Sequence, residues 1–182
     1  MPHILSTFNN EIFVQFNKRI KILRSDNALE YTQSVMHCFS TYRGIIHQTS
    51  CPHTSQQNGV VKRKHRHLLY VARTLLFHMQ VPKHFLGDVV LTVCHLINRM
   101  PFVVLNQDSP FSVLYPERAP FSLTPCVFGY VPFVHVLDPG RDKLSPGAHK
   151  YIFLEYSCTQ KGYRCYNPKS RRYFVSVDVT IF

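Results

Sequence analysis

Three groups of side chains in this 182-residue sequence are suited to chemistry. Asp26 lies just past the short apolar run Ile20-Lys21-Ile22-Leu23. A carboxylate leaving a strand sits where ligands and chemistry collect in open α/β sheets, and the same residue type equally makes a simple turn. Lys62-Arg63-Lys64-His65-Arg66-His67, with Arg73 beyond, puts seven positive or titratable side chains into twelve residues. Lys62, Arg66 and Arg73 share a helical stripe, because residues four and seven apart align. Such a helix end can lie along a phosphate backbone, its cations joined by oriented backbone N–H groups, or can be a plainly solvated face. Between the acid and the cations stands Gln56-Gln57-Asn58-Gly59. Its amides can bond bases or phosphates, and Asn58 is well suited to capping the helix that follows.

Other constellations are missing. His47, His53, His65 and His67 lack the spacing of a metal triad, and His65 and His67 diverge on a helix. The six cysteines form no C-x-x-C pair, which speaks against a structural zinc site and for reduced thiols in an intracellular protein. No G-x-S-x-G, Walker or G-x-G-x-x-G pattern occurs. Hydrophobic residues make up 45% and aromatics 13%, enough for a packed core, which speaks against wholesale disorder. No stretch approaches the ~18 apolar residues of a spanning helix, and Met1-Pro2-His3-Ile4-Leu5 does not read as a secretory leader. A formal charge of +11 favours a polyanionic partner, nucleic acid first and an acidic membrane surface or protein second, unless it serves solubility alone.

The elements that position these residues can be read from periodicity. Phe8, Ile12, Phe13 and Phe16 give an amphipathic helix over 8–16, and a strand follows at 20–23. Tyr31, Val35, Cys38, Phe39 and Tyr42 mark one helical face, with Gly44 as its C-cap. Ile45-Ile46-His47-Gln48 reads as a second strand. This strand–helix–strand unit implies a right-handed crossover and parallel strands, so Asp26 and the segment from Thr49 to Asn58 leave the same sheet edge. A long helix is predicted over 60–79, with Leu68, Ala72, Leu75, Leu76 and Met79 on a core face and Pro82 ending it. A second runs over 83–98 and stops at Pro101. Five prolines between 101 and 125 mark an irregular connection. Apolar runs at 131–136, 151–156, 163–166 and 173–179, separated by turns at 138–140, 145–147 and 167–170, predict a small antiparallel sheet or barrel.

Several of these stretches resemble the integrase core of plant copia-type retrotransposons. They are Leu23-Arg24-Ser25-Asp26-Asn27, Glu30-Tyr31, His47-Gln48-Thr49-Ser50-Cys51-Pro52, Gln56-Gln57-Asn58-Gly59-Val60, Arg63-Lys64, Arg66-His67-Leu68-Leu69, Ala72-Arg73, Val81-Pro82, Leu96-Ile97-Asn98-Arg99 and Ser109-Pro110. Downstream, Val127-Phe128-Gly129, Asp142-Lys143-Leu144, Phe153-Leu154, Gln160-Lys161-Gly162-Tyr163 and Asp178-Val179-Thr180 are similar to the Src-homology-3-like domain that follows this core. The resemblance implies an α/β chain: a partial ribonuclease-H-like core over 1–115, a linker over 116–126, and a small β-barrel-like domain over 127–182.

Integrases of this kind use two Asp and one Glu to hold divalent metals, Mg or Mn, that clamp the attacking and leaving oxygens. By the resemblance, Asp26 is the second carboxylate, both a catalytic residue and a metal ligand. The 35 residues that intervene before the third position lead to Lys62, where the family has Glu. The first Asp belongs to the opening strand of that fold, ahead of this chain's start. Ala28-Leu29 stand where the family has two glycines, and Leu86 where it has Trp. An ammonium in a metal ligand's place repels the cation: two unit charges ~4 Å apart interact by ~4 kcal/mol at an effective dielectric of ~20, and a divalent ion doubles this. The expected protein is therefore a truncated, degenerate integrase fragment that carries no resident cofactor and no strand-transfer activity. Its expected partner is DNA, met in the nucleus through Lys62, Arg63, Lys64, Arg66, Arg73, Gln57 and Asn58. With the opening strands absent, an exposed sheet edge also invites self-association. The alternative is an interaction fragment or a non-functional relic of a retroelement polyprotein.

Overall fold

The computed structural model describes residues 2–52, 54–135, 148–157, 159–177 and 179–180, and the chain divides into two compact units, 1–65 and 66–182. In the first unit, helix α1 (Pro2–Phe16) precedes strand β1 (Ile22–Ser25). A four-residue α2 (Leu29–Thr32) and α3 (Ser34–Arg43) then lead to β2 (Ile46–Thr49). The two strands pair in parallel, Ile22 opposite Ile46 through Ser25 opposite Thr49, as the crossover argument requires. Gly44 adopts φ 66°, and Ile45 N–H bonds Ser40 O at 2.8 Å while Gly44 N–H bonds Thr41 O at 3.2 Å. That is a Schellman closure, which only a residue tolerant of positive φ makes cheaply.

The closure also decides which face of α3 is covered. It directs Ile45 inward, and Met36 and Ser40 are buried, whereas Val35, Cys38 and Tyr42 of the predicted apolar stripe stay exposed. Met36 and Ile45 are the buried apolar residues of this unit among those described, so its core is thin. The Ser40 hydroxyl, also buried, has no hydrogen-bond partner among the described residues. An unmet buried donor costs about 1–3 kcal/mol.

The second unit holds the main core. Helix α4 (Gly59–His78) begins in the first unit and ends here, and α5 (Leu86–Ile97) follows a 3-10 turn at Lys83–Phe85. Phe85, Val89, Val93 and Ile97 recur every fourth position along one face and are buried with Ala72, Leu76, Val81, Phe128 and Leu154. Short helical turns at Val103–Leu105 and α6 (Pro110–Leu114) interrupt the proline-rich connection. Ser109 caps α6 by accepting from Ser112 N–H at 3.1 Å.

Two three-stranded antiparallel sheets complete the unit. One orders β4 (Ala148–Lys150), β3 (Phe133–His135) and β8 (Val179–Thr180), and the other β5 (Ile152–Tyr156), β6 (Tyr163–Asn167) and β7 (Arg172–Ser176). The predicted turns at 138–140 and 145–147 lie outside the described residues. The turn after β6 forms around Asn167, whose Oδ1 accepts from Lys169 N–H at 2.9 Å and Ser170 N–H at 3.3 Å. Gly129, at φ 77°, donates to Phe153 O, and a Cβ there would lie 2.7 Å from Met79 Cβ.

Polar contacts pin α5 to β5. The register breaks between Phe153 and Glu155, and in that bulge the Leu154 carbonyl accepts the Thr92 hydroxyl at 2.6 Å. Beside it, Arg164 bridges Glu155 at 3.1 Å and Asp88 at 3.4 Å and lies 4.2 Å from the Tyr173 ring centroid. Burial pushes the Glu155 carboxyl up, against the pull of the Arg164 guanidinium. His95 stacks on Tyr156 with ring centroids 4.2 Å apart. Burial, and then the charge of Arg99, lower its pKa from 6.5 to about 4.

This last shift sets a pH dependence. Between pH 6.5 and about 4 the unfolded chain binds a proton at His95 that the folded chain refuses, so stability falls as pH drops through that window. Glu155, raised, acts in the opposite sense, so the comparison is between variant and wild type. With solvent screening allowed for, His95→Gln should recover about 1–2 kcal/mol of the loss between pH 6.5 and 4. Urea unfolding of both proteins across that range measures it.

Candidate nucleic-acid interface

The parallel pairing of β1 and β2 brings their carboxyl ends together, and the chain between 50 and 58 closes over that edge. Ser50 N–H bonds Ser25 O at 3.1 Å, and the Asn27 side-chain amide donates to Ser50 O at 2.9 Å. Cys51 N–H donates to Gln57 Oε1 at 2.8 Å, so Gln57 organises the loop from inside. Arg24 and Gln48 are direct partners in the strand register, and Arg24 Nε donates to Gln48 Oε1 at 2.9 Å. Arg24, Ser25, Gln48, Thr49, Ser50, Gln57 and Asn58 line a polar cleft of about 310 Å³.

Asp26 stands at the mouth of this edge, half-buried, with Oδ1 accepting from Ala28 N–H at 3.3 Å. It thus makes an Asx turn. Ser25 Oγ lies 2.9 Å from the Asp26 carbonyl and 2.8 Å from His47 Nε2. Among the described residues no group of three or more His, Cys, Asp or Glu side chains could hold a metal ion. The residues present do not fit a divalent metal pair: the cleft lining carries no carboxylate, and the carboxylate of Asp26 beside it is engaged in its own turn.

The loop runs through a 3-10 turn, Ser55–Asn58, directly into α4. Asn58 lines the cleft, and its side chain makes no hydrogen bond to α4 among the described residues, which corrects its expected role as a cap. Lys62, Arg63, Lys64, His65, Arg66, His67 and Arg73 are all exposed. Among the described residues, none of the five Lys and Arg side chains has an ion-pair or hydrogen-bond partner. Helix α4 contains no acidic residue at all. Its buried residues, Ala72 and Leu76, come from its later turns. The structure brings Gln57 and Asn58 together at the sheet edge and strings the cations along the helix that leaves it.

Sequence reasoning assigned no role to Arg24, Gln48, Thr49 and Ser50. Their signal was available once the parallel register was in hand, because Arg24 and Gln48 are both the third residue of their strands.

Residues 131–182 match the retroviral polymerase SH3-like domain. The chain is 34% identical over 176 residues to the retrovirus-related Pol polyprotein from transposon TNT 1-94 of Nicotiana tabacum, covering 97% of this chain and 13% of that protein. It is also 34% identical over 173 residues to the corresponding polyprotein from transposon RE1 of Arabidopsis thaliana, covering 95% of this chain and 12% of the relative. Among solved structures, it resembles a chain in the cryo-EM structure of the simian T-cell lymphotropic virus intasome in complex with PP2A regulatory subunit B56 gamma. That likeness has a TM-score of 0.50 at 14% identity and covers 97% of this chain and 62% of the other.

The loop geometry makes a direct prediction. Gln57→Ala should leave global stability within about 1 kcal/mol and speed exchange of the Cys51 amide about tenfold. Hydrogen exchange read by NMR measures it, and an unchanged Cys51 rate would mean that Gln57 does not organise the loop.

Proposed function

Over nearly its whole length the chain is homologous to copia-type retrotransposon Pol polyproteins, and from that kinship we propose an integrase-derived, DNA-binding segment without catalytic activity. The observation that carries the reading is the run of exposed, unpartnered cations opening α4 directly after the polar cleft at the β1–β2 edge. Phosphates are the natural counter-ions for such a run. Contacts of this kind neutralise the backbone without reading sequence. Gln57 is held in the loop and Asn58 lines the cleft, so the amides shape the approach while Lys62, Arg63, Lys64, Arg66 and Arg73 supply the charge.

The finer assignment is a partial ribonuclease-H-like core over 1–115, a linker over 116–126 and the SH3-like domain beyond. Its support is the parallel β1–α3–β2 unit and the fold likeness to an intasome chain. In that assignment Lys62 occupies the third carboxylate's position. The chain spans 13% of its tobacco relative, so integration as such belongs to the longer protein's chemistry. This segment contributes a grip on DNA and no metal-dependent step. A second reading, self-association, is favoured by β1 and β2 pairing only with each other among the described residues.

The test is a fluorescence titration of duplex DNA against the purified chain at several salt concentrations. Micromolar or weaker binding should fall steeply with salt, with a log–log slope of about −3 to −5 for ~4–5 neutralised phosphates. Lys62→Ala should make the slope shallower by about one. Strand-transfer assays with Mg²⁺ or Mn²⁺ should stay blank for the wild type and for Lys62→Glu. Absence of binding at low salt, a slope near zero, or any metal-dependent strand transfer would overturn the proposal. Concentration-dependent sedimentation without DNA binding would favour self-association instead.

A further inference from the structure

A second concavity, entirely within the second unit, is unrelated to the sheet edge. Where α4 ends and the chain turns into α5, a groove of about 480 Å³ opens on the surface, within the size range of ligand clefts. Its floor is apolar: Leu76 and Val81 are buried, and Pro82 lies beside them. Phe77 and Leu86 border it and are 66% and 40% exposed, so both rim side chains are open to a partner. Leu86 does not join the buried face of α5 formed by Phe85, Val89, Val93 and Ile97.

The polar lining has one sign. Arg73 and Lys83 line the groove, both exposed and without an ion-pair or hydrogen-bond partner among the described residues, and no acidic residue lines it. Three of the last four carbonyls of α4 are already occupied. Met79 N–H bonds Leu75 O at 3.0 Å, Val81 N–H bonds Leu76 O at 3.1 Å, and Gln80, at φ 53°, donates to Phe77 O at 3.3 Å. The negative end of the helix is therefore tied off, and the free charge at the groove is cationic.

We propose that this groove docks an acidic peptide segment that inserts large apolar side chains between Phe77 and Leu86 and sets its carboxylates against Arg73 and Lys83. Charge complementarity selects the acid, and the apolar floor selects the anchor. A phosphate backbone would satisfy the two cations and leave Phe77, Leu86 and the floor in water. An uncharged apolar segment would leave Arg73 and Lys83 unmatched. Only a ligand with both characters uses the whole lining.

The probe is a fluorescein-labelled hexapeptide, Asp-Glu-Leu-Phe-Glu-Asp, titrated by anisotropy into the full chain, with a counterpart carrying Ser-Ser in place of Leu-Phe. Saturable binding is expected, with the Ser-Ser peptide at least about tenfold weaker. Phe77→Ser and Lys83→Glu should each weaken the Leu-Phe peptide about fivefold or more. Both positions are exposed, so the variants keep the fold, checked by circular dichroism, and duplex DNA binding should change by less than about twofold. Equal affinity for the two peptides would reduce the interaction to the general basicity of the chain and overturn the proposal. So would the absence of saturable binding at about 1 mM peptide, indifference to Phe77→Ser and Lys83→Glu, or loss of oligo(dT) binding through the same two substitutions. That last outcome would assign the groove to stacked bases. The peptide readouts do not depend on the cations Lys62 to Arg66, and Arg73, which serves both readings, is unchanged in both variants, so failure here and failure of the DNA-binding reading, on which this inference does not rest, are separable.

Discussion

In the proposed reading, the sign of the charge at position 62 governs the chemistry open to the sheet edge. A parallel strand pair delivers Asp26 to a sheet edge, and a hydrogen-bonded loop carries the chain from that edge into α4. Beside a carboxylate, a second acid would favour a divalent cation, and an ammonium would repel one by several kcal/mol at short range. The same ammonium extends the cationic run of α4 by one member. In that reading a single residue type moves the edge from metal chemistry toward phosphate attraction; Asp26 itself makes an ordinary Asx turn.

The two units differ in what holds them. Residues 66–182 gather two clusters of buried apolar side chains, a bulge that lets Thr92 reach the Leu154 carbonyl, and the Asp88–Arg164–Glu155 bridge. The bridge is weak as a source of stability, because burying Glu155 offsets much of the attraction, and its use is to fix α5 against β5 in one register. Residues 1–65 bury Met36 and Ile45 and leave the Ser40 hydroxyl unmet. A segment so sparsely packed opens at low local free energy, and the polar loop that shapes the cleft sits within it.

Local rules made much of this readable. The parallel strand–helix–strand unit, the positive-φ glycine ending α3, the apolar face of α4 and the Asn167 turn all follow from short-range pattern and turn chemistry. What escaped depends on distant partners. The stripe through Val35, Cys38 and Tyr42 was the better helical pattern, yet the Schellman closure turned the face of Met36 and Ser40 inward. Strand β4 is three residues long and polar at His149 and Lys150, so no periodicity announces it. The pairing of Arg24 with Gln48, and of Arg164 with Asp88, appears only once strands and helices are docked. The resemblance supplied the register that singles out Lys62, which no propensity rule would have marked.

The most direct measurement of the central claim is paramagnetic broadening by Mn²⁺ in an NMR spectrum of the full chain. The account predicts no selective, saturable broadening of the Ser25, Asp26 and Asn27 amides, and at most diffuse loss near scattered exposed acids. Saturable broadening centred on Asp26 would contradict it, because it would show a divalent cation seated beside the residue that Lys62 is argued to have stripped of its metal.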